Sequence, residues 1–286
     1  MGPGYLLVDW ARCDGCGRCA EACEEGAIEL RVPKPVPVDA DAQTFEEHFV
    51  RAQDRVLAAA PAAVLARWSL PEAALVLVVA FALLMGVQTL PVILGRPLPA
   101  GVTVLVYDAV LAAAVAGLCA WRRGSLLTAL RLDRAPEPKW VGYAVLGAVG
   151  CWAFSLAYRV AVLALGFPPP TGSGTDLAVL YGAGAAGIAA TVVVVAIVGP
   201  LVEEAALRGI VLGAVRERFG AWAAVLASAV AFAVLHGSVW SLVPFLVLGI
   251  VLGWLAVRSR SLWPAVIAHV LYNAVLVVSA IYAASR

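Results

Sequence analysis

Long apolar runs, repeated through most of the chain, constrain its fold more than any other feature. The first strongly apolar run begins near Ala73, and 63% of the 286 residues are hydrophobic. This share is well above that of ordinary soluble domains. A helix needs about 20 apolar residues to cross the hydrocarbon core of a bilayer. The sequence therefore predicts an all-α polytopic membrane bundle with about seven or eight transmembrane helices.

The boundaries of the apolar runs predict where the helices lie. The predicted spans are about Glu72–Leu94, Val102–Trp121, Val141–Gly166, Leu177–Val198, Ala221–His236, Leu242–Val257 and Leu262–Tyr282. Gly199-Pro200 predicts a break after the fourth span, followed by a short helix to about Val215. Between the second and third spans, Ser125–Leu132 alternates apolar and basic residues and is expected to form a short interfacial helix.

A cluster of cysteines precedes the apolar part of the chain. Its members follow the spacing C-x2-C-x2-C-x3-C and are Cys13, Cys16, Cys19 and Cys23. This is the run that binds bacterial iron–sulfur clusters. Gly15 and Gly17 let the backbone approach such a cluster closely. The segment resembles half of a bacterial ferredoxin, a small α+β module, and the resemblance implies that the four thiolates hold a 4Fe-4S cluster.

Two departures from the ferredoxin pattern leave alternatives open. Glu24 stands where the family usually has proline, and the chain has a single cysteine run. In two-cluster ferredoxins the fourth cysteine ligates the other cluster. One chain can hold the cluster alone, two chains can share ligands, or the site can be degenerate. Zinc is less favoured, because zinc sites usually separate their cysteine pairs by a longer loop.

The charges of the loops predict the orientation in the membrane. Basic residues crowd one set of loops, at Arg122, Arg123, Arg131, Arg134, Lys139, Arg216, Arg218, Arg258 and Arg260. The alternate loops hold only Arg96 or no basic residue. Cytoplasmic loops carry an excess of lysine and arginine. The pattern predicts a multi-pass protein of the cell (inner) membrane with a cytoplasmic N-terminus, which places the cysteines in a reducing compartment.

Ionisable and polar residues inside the apolar runs form three short motifs. These are Glu203-Glu204-x3-Arg208, Phe232-x3-His236 and His269-x3-Asn273. Charges at membrane depth are costly and mark functional sites. Glu204 and Arg208 are four residues apart and can pair on a helix. The same spacing places His269 and Asn273 on one helix face.

The three motifs together predict hydrolysis of an acyl bond within the membrane. A carboxylate and a histidine can activate water, and a second histidine with an asparagine can stabilise an oxyanion. Glu203, His236 and His269 are alternatively plausible ligands of a divalent metal such as zinc.

The motifs resemble those of the CPBP family, also called the Abi family, which includes type II CAAX prenyl endopeptidases and bacteriocin-processing or immunity proteins. The resemblance covers about Lys139 to Tyr282, with Leu207 where many members have phenylalanine. It implies that Glu203 is the general base with His236 as its partner, and that His269 and Asn273 form the oxyanion hole. Glu204 and Arg208 would hold the helix and polarise the site. Both a metal-dependent and a metal-free glutamate mechanism fit the family.

These features divide the chain into four parts. Residues 1–32 form the ferredoxin-type module, and 33–71 a linker with an amphipathic juxtamembrane helix. Residues 72–138 hold two transmembrane helices and a cytoplasmic loop, and 139–286 the protease-like core. The leading hypothesis is an intramembrane endopeptidase with an iron–sulfur module.

The alternative functions are an iron–sulfur electron-transfer membrane protein and a non-proteolytic immunity or scaffold protein. The expected partners are the lipid bilayer and a protein or peptide substrate that the sequence does not specify. A redox partner and a homodimer are left open. The net charge of +1 gives no reason to expect a nucleic-acid partner.

Overall fold

The computed structural model describes residues 68–96, 99–122, 125–167, 180–182 and 184–284. All of them belong to one compact unit, Leu65–Arg286. The predicted iron–sulfur module, with Cys13, Cys16, Cys19 and Cys23, and most of the linker lie outside the described residues.

The described residues form eight helices. They are α1 (Leu70–Leu94), α2 (Ala100–Trp121), α3 (Leu126–Ala129), α4 (Pro138–Ala164), α5 (Ala185–Phe219), α6 (Ala221–Leu235), α7 (Leu242–Ser259) and α8 (Trp263–Ala284). No strand occurs in this part of the chain. Helices satisfy their own backbone hydrogen bonds, as the interior of a bilayer requires.

Six of these helices, namely α1, α2, α4, α5, α7 and α8, are long and apolar enough to cross a membrane. The remaining apolar helix, α6, has 15 residues and is shorter than a full crossing. Many large apolar side chains point outward, for example Val92 and Leu146, which are 80% and 69% exposed. Outward-facing apolar side chains of this kind are expected where a helix contacts lipid. The helical membrane bundle predicted from the apolar runs is confirmed.

The prediction of a helix break at Gly199-Pro200 is wrong, because α5 runs unbroken for 35 residues. Two wider π-helical stretches, Val192–Val198 and Ala205–Val211, interrupt its α-helical geometry. The first π-helical stretch ends at Gly199, whose N–H donates to the carbonyl of Val194, five residues earlier. This wider turn directly precedes Pro200 and takes the place of the expected break. Stretches of π-helix often occur at functional sites.

Two of the predicted cytoplasmic loops meet at one end of the bundle. The loop after the short interfacial helix α3 packs on the turn between α7 and α8. Trp263 donates from Nε1 to the Leu132 carbonyl at 2.8 Å, and the Ser261 hydroxyl donates to the Arg134 carbonyl at 2.8 Å. These bonds place the basic loops around Arg134 and Arg258 on the same side.

Candidate active site

Helix α5 carries two adjacent glutamates and an arginine into the interior of the bundle. The side chains of Glu204 and Arg208 are both fully buried, and Oε1 of Glu204 lies 2.8 Å from Nη1 of Arg208. Arg208 also donates from Nη2 to the carbonyl of Gly249 on α7, at 3.2 Å. The predicted pairing of Glu204 with Arg208 is confirmed. The pair ties α5 to α7 in the interior of the bundle.

The same carboxylate holds a histidine of α8. The Nδ1 atom of His269 lies 2.9 Å from Oε1 of Glu204, and a carboxylate oxygen accepts, so Nδ1 carries the hydrogen. The opposite ring atom, Nε2, lies 3.8 Å from Oε2 of Glu203. His269 is 1% exposed. Arg208 and Glu204 therefore fix the orientation of an imidazole whose other nitrogen faces Glu203.

A second histidine ends helix α6 and is oriented by its own backbone. His236 places Nδ1 2.7 Å from the carbonyl of Phe232, so Nδ1 is the donor. This bond leaves Nε2 of the neutral ring as an acceptor. The ring of Phe245 packs against the imidazole at a centroid distance of 3.9 Å. The orientation of the His236 ring is therefore fixed, and the neutral form of the ring offers Nε2 as an acceptor.

Glu203 and His236 line one cavity of about 60 Å³. The other lining residues are Val76, Ala80, Tyr107, Leu111, Ala206, Leu207, Phe232 and Leu235. A space of this size holds a few water molecules. The side chain of Glu203 is 22% exposed, whereas that of Glu204 is fully buried. Of the two glutamates, Glu203 is the one that water and a substrate can reach.

Asn273 binds the backbone of α5. Its Nδ2 donates to the carbonyl of Val195 at 3.0 Å. In a regular α-helix the N–H of Gly199 would serve this carbonyl, but it bonds to Val194 instead. The residue five positions on, Pro200, has no N–H to offer. Asn273 thus satisfies the carbonyl that the π-helical turn and the proline leave without a helical partner.

The expected oxyanion-hole residues have different partners in the structure. His269 bonds to Glu204 through Nδ1 and Asn273 bonds to Val195 through Nδ2. Neither residue lines the cavity beside Glu203 and His236. Of the two histidines, His269 has the ring nitrogen that forms the close contact with Glu203. Their catalytic roles remain predictions.

The predicted metal ligands Glu203, His236 and His269 are not arranged as a zinc ion requires. Zinc takes three or four nitrogen, sulfur or oxygen ligands in a tetrahedral arrangement. Among the described residues, no three His, Cys, Asp or Glu side chains are grouped so that they could hold a metal ion. Glu203, His236 and His269 as placed here do not fit such a site.

Sequence reasoning did not assign a role to Tyr107 of α2, which lies in the cavity wall. Its neighbour Asp108 is 5% exposed, and its Oδ2 has no hydrogen-bond partner among the described residues. The carboxylate lies against Gly199 of α5, where a Cβ would be 3.5 Å from Oδ2. Two adjacent polar residues within an apolar run were the signal in the sequence that α2 contributes to the site.

Comparison with known proteins was consistent with the motifs. Residues 185–275 match the family model described as Type II CAAX prenyl endopeptidase Rce1-like. Residues 6–29 match the model of the 4Fe-4S binding domain. These matches confirm the two resemblances read from the sequence. The first runs from the start of α5 into α8 and contains all three polar motifs.

One curated relative is similar to part of the chain. The "Putative membrane peptidase YdiL" of Bacillus subtilis (strain 168) is 31% identical over 87 residues. The aligned part is 30% of this chain and 36% of the relative, so the chain covers about a third of that protein's length. No solved structure matches the chain.

Proposed function

We propose that the chain is an intramembrane endopeptidase in which Glu203 activates a water molecule. The observation that carries the proposal is the shared cavity. It brings an accessible carboxylate, Glu203, and a histidine with a free acceptor nitrogen, His236, to one small space inside an apolar bundle. The family match of residues 185–275 supports peptide-bond hydrolysis as the reaction.

The proposed reaction uses the cavity as follows. The Glu203 carboxylate takes a proton from a water molecule, and Nε2 of His236 accepts a hydrogen bond from that water. The water oxygen bonds to the carbonyl carbon of the substrate, and the electron pair of the C=O bond moves onto its oxygen. The C–N bond then breaks as the oxyanion collapses, and the leaving amine takes the proton from Glu203.

The buried pair behind Glu203 supports this role. Glu204 and Arg208 orient His269, and Nε2 of His269 faces the Oε2 atom of Glu203. We therefore assign Glu204 and Arg208 as positioning residues and His269 as the group that supports Glu203.

An electron-transfer function is less well supported by the bundle. It needs a second redox group, such as a haem bound between His236 and His269. The ring of Phe232 packs against both imidazoles, with centroid distances of 4.5 Å to His236 and 5.2 Å to His269. In the described part of the chain, His236 lines the cavity and His269 does not, so the two imidazoles do not face one common space in which a haem could bind.

We further propose that Cys13, Cys16, Cys19 and Cys23 hold a 4Fe-4S cluster on the cytoplasmic side of the membrane. The match of residues 6–29 to the 4Fe-4S binding domain supports the cluster. The orientation is supported by the excess of basic residues in the loops around Arg134, Arg216 and Arg258. Such a cluster would connect the peptidase to the redox state of the cell.

The proposal is tested by comparing two substitutions on one helix. Membrane proteins that co-purify with Glu203→Gln are identified, reconstituted in liposomes and incubated with each variant. We expect the wild-type protein to cleave them and Glu203→Gln to be slower by about 100-fold or more, because a general base contributes at least that much.

The matched control is Glu217→Gln, which changes an exposed glutamate near the end of α5. It should cleave at the wild-type rate. Cleavage by Glu203→Gln at the wild-type rate would show that Glu203 is not the base. Treatment with a chelator should leave the wild-type rate unchanged.

A further inference from the structure

The wall of the cavity opposite the family-matched helices comes from α1 and α2. Val76 and Ala80 of α1 are apolar, as is Leu111 of α2. Among the described residues that line the cavity, Tyr107 of α2 is the one that carries a hydroxyl group. Both helices lie outside residues 185–275. The N-terminal pair of helices therefore adds one polar group to a site whose other polar groups come from α5 and α6.

The hydroxyl of Tyr107 is available as a hydrogen-bond donor. It makes no hydrogen bond to another group in the part of the chain that the structure describes, and it retains some accessible surface. By contrast, the tyrosines Tyr181 and Tyr272 both use their hydroxyls in hydrogen bonds, to the Gly101 carbonyl and to Ser155. Tyr107 also lies close enough to Glu203 for the two groups to interact electrostatically.

Peptide hydrolysis needs such a donor. The tetrahedral intermediate carries a negative charge on the former carbonyl oxygen, and fixed donors that face this oxygen lower the barrier. His269 donates from Nδ1 to Glu204, and Asn273 uses one of its two Nδ2 hydrogens for the Val195 carbonyl. Neither residue is among those that line the cavity beside Tyr107. A neutral hydroxyl suits a site surrounded by lipid, because it needs no charge to be buried.

We propose that the Tyr107 hydroxyl is a catalytic group that donates a hydrogen bond to the oxyanion formed when water attacks the substrate carbonyl. The water oxygen forms the C–O bond as Glu203 takes the proton. The electron pair of the C=O bond moves onto the oxygen that Tyr107 faces. The pair returns when the C–N bond breaks, and the hydroxyl keeps its own proton throughout. This inference rests on the proposed peptidase function.

The test removes the hydroxyl and keeps the ring. Tyr107→Phe is compared with the wild type in liposomes, with an internally quenched peptide ending in a farnesylated CAAX sequence and with the membrane proteins trapped by Glu203→Gln. We expect kcat to fall by about 100-fold with little change in KM, because an oxyanion donor acts only in the transition state. Thermal unfolding of Tyr107→Phe in detergent should match that of the wild type.

The matched control is Tyr143→Phe, which removes a hydroxyl from an exposed tyrosine of α4. It should keep the wild-type kcat and KM. A wild-type kcat in Tyr107→Phe, or a change confined to KM, would overturn the role of Tyr107 and leave the peptidase proposal intact. If the wild type cleaves none of these substrates, the proposed function fails and the inference fails with it.

Discussion

The side-chain amide of Asn273 on α8 donates a 3.0 Å hydrogen bond to the backbone carbonyl of Val195 on α5. This carbonyl precedes Pro200 by five residues and has lost its usual helical partner to the π-helical turn. A buried carbonyl without a donor costs about 1–3 kcal/mol. The bond explains how α5 can pass through Gly199-Pro200 without a break and still bring Glu203 into the site.

Replacing Asn273 should therefore destabilise α5. The loss in the free energy of unfolding should depend on whether residue 200 is proline. We expect Asn273→Ala to lower the free energy of unfolding by about 1–3 kcal/mol, because the Val195 carbonyl is left unpaired. In a Pro200→Ala background, the backbone N–H at position 200 can donate to the carbonyls of this turn. Asn273→Ala should therefore lower the free energy of unfolding by less in that background.

The measurement is a double-mutant cycle of unfolding in detergent. Equal costs of Asn273→Ala in the two backgrounds would contradict the relationship between Asn273 and the proline.

The buried pair on α5 should be essential for folding as well as for activity. Glu204→Gln removes the charge that offsets Arg208 and leaves a buried guanidinium without its counterion. Breaking a buried pair in this way typically costs about 3–5 kcal/mol. Denaturant unfolding in mixed micelles should show this loss. Glu203→Gln serves as the comparison, since Glu203 has no salt bridge to Arg208 and should leave the midpoint nearly unchanged.

Two glycines of α7 should differ in their tolerance of a methyl group. A Cβ on Gly249 would lie 2.8 Å from the Cα atom of Ala229 on α6. This is a backbone atom, so it cannot move away without a large energetic cost. A Cβ on Gly253 would lie 3.3 Å from the nearest atom of Val225. Gly249→Ala should thus cost about 1–3 kcal/mol, and Gly253→Ala clearly less.

The comparison is made by melting temperature and by cleavage rate. The Gly249 carbonyl also accepts from Arg208, so Gly249→Ala should lower both quantities. A larger loss in Gly253→Ala than in Gly249→Ala would contradict the packing of α6 against α7.

The cysteine run should give the purified protein a brown colour under anaerobic conditions. Cys16→Ser should abolish or strongly reduce the visible absorbance and the iron content, because it removes one of the four expected thiolate ligands. Cys119→Ser provides the control, since Cys119 is buried in α2 and is not a cluster candidate. Bleaching by Cys119→Ser, or full iron content in Cys16→Ser, would contradict the assignment of ligands.

Much of the site could be predicted because charge is rare in apolar helices. Glu203, Glu204 and Arg208 stand out in the sequence for this reason, and the four-residue spacing correctly paired Glu204 with Arg208. The continuous path of α5 could not be predicted, because local preferences favour a break at proline. The compensating donor, Asn273, comes from a helix far along the chain.

The adjacent polar residues Tyr107 and Asp108 mark α2 in the sequence, but they do not show that the Tyr107 side chain faces the cavity. A tyrosine within a transmembrane run is unremarkable by itself, and its value depends on which helix packs opposite it. Likewise, His269 and Asn273 share a helix face by spacing, but their partners, Glu204 and Val195, are set by how α8 packs on α5. Tertiary packing therefore decides which polar residues face the cavity.

The central claim is that Glu203 activates water and does not attack the substrate itself. A single turnover in water enriched in ¹⁸O tests this most directly, with an excess of enzyme over a substrate trapped by Glu203→Gln. Mass spectrometry of both products is then compared with that of the peptide that contains Glu203. The account predicts one ¹⁸O atom in the new carboxyl group of the product and none in Glu203. Incorporation of ¹⁸O into Glu203, with unlabelled product in the first turnover, would contradict it.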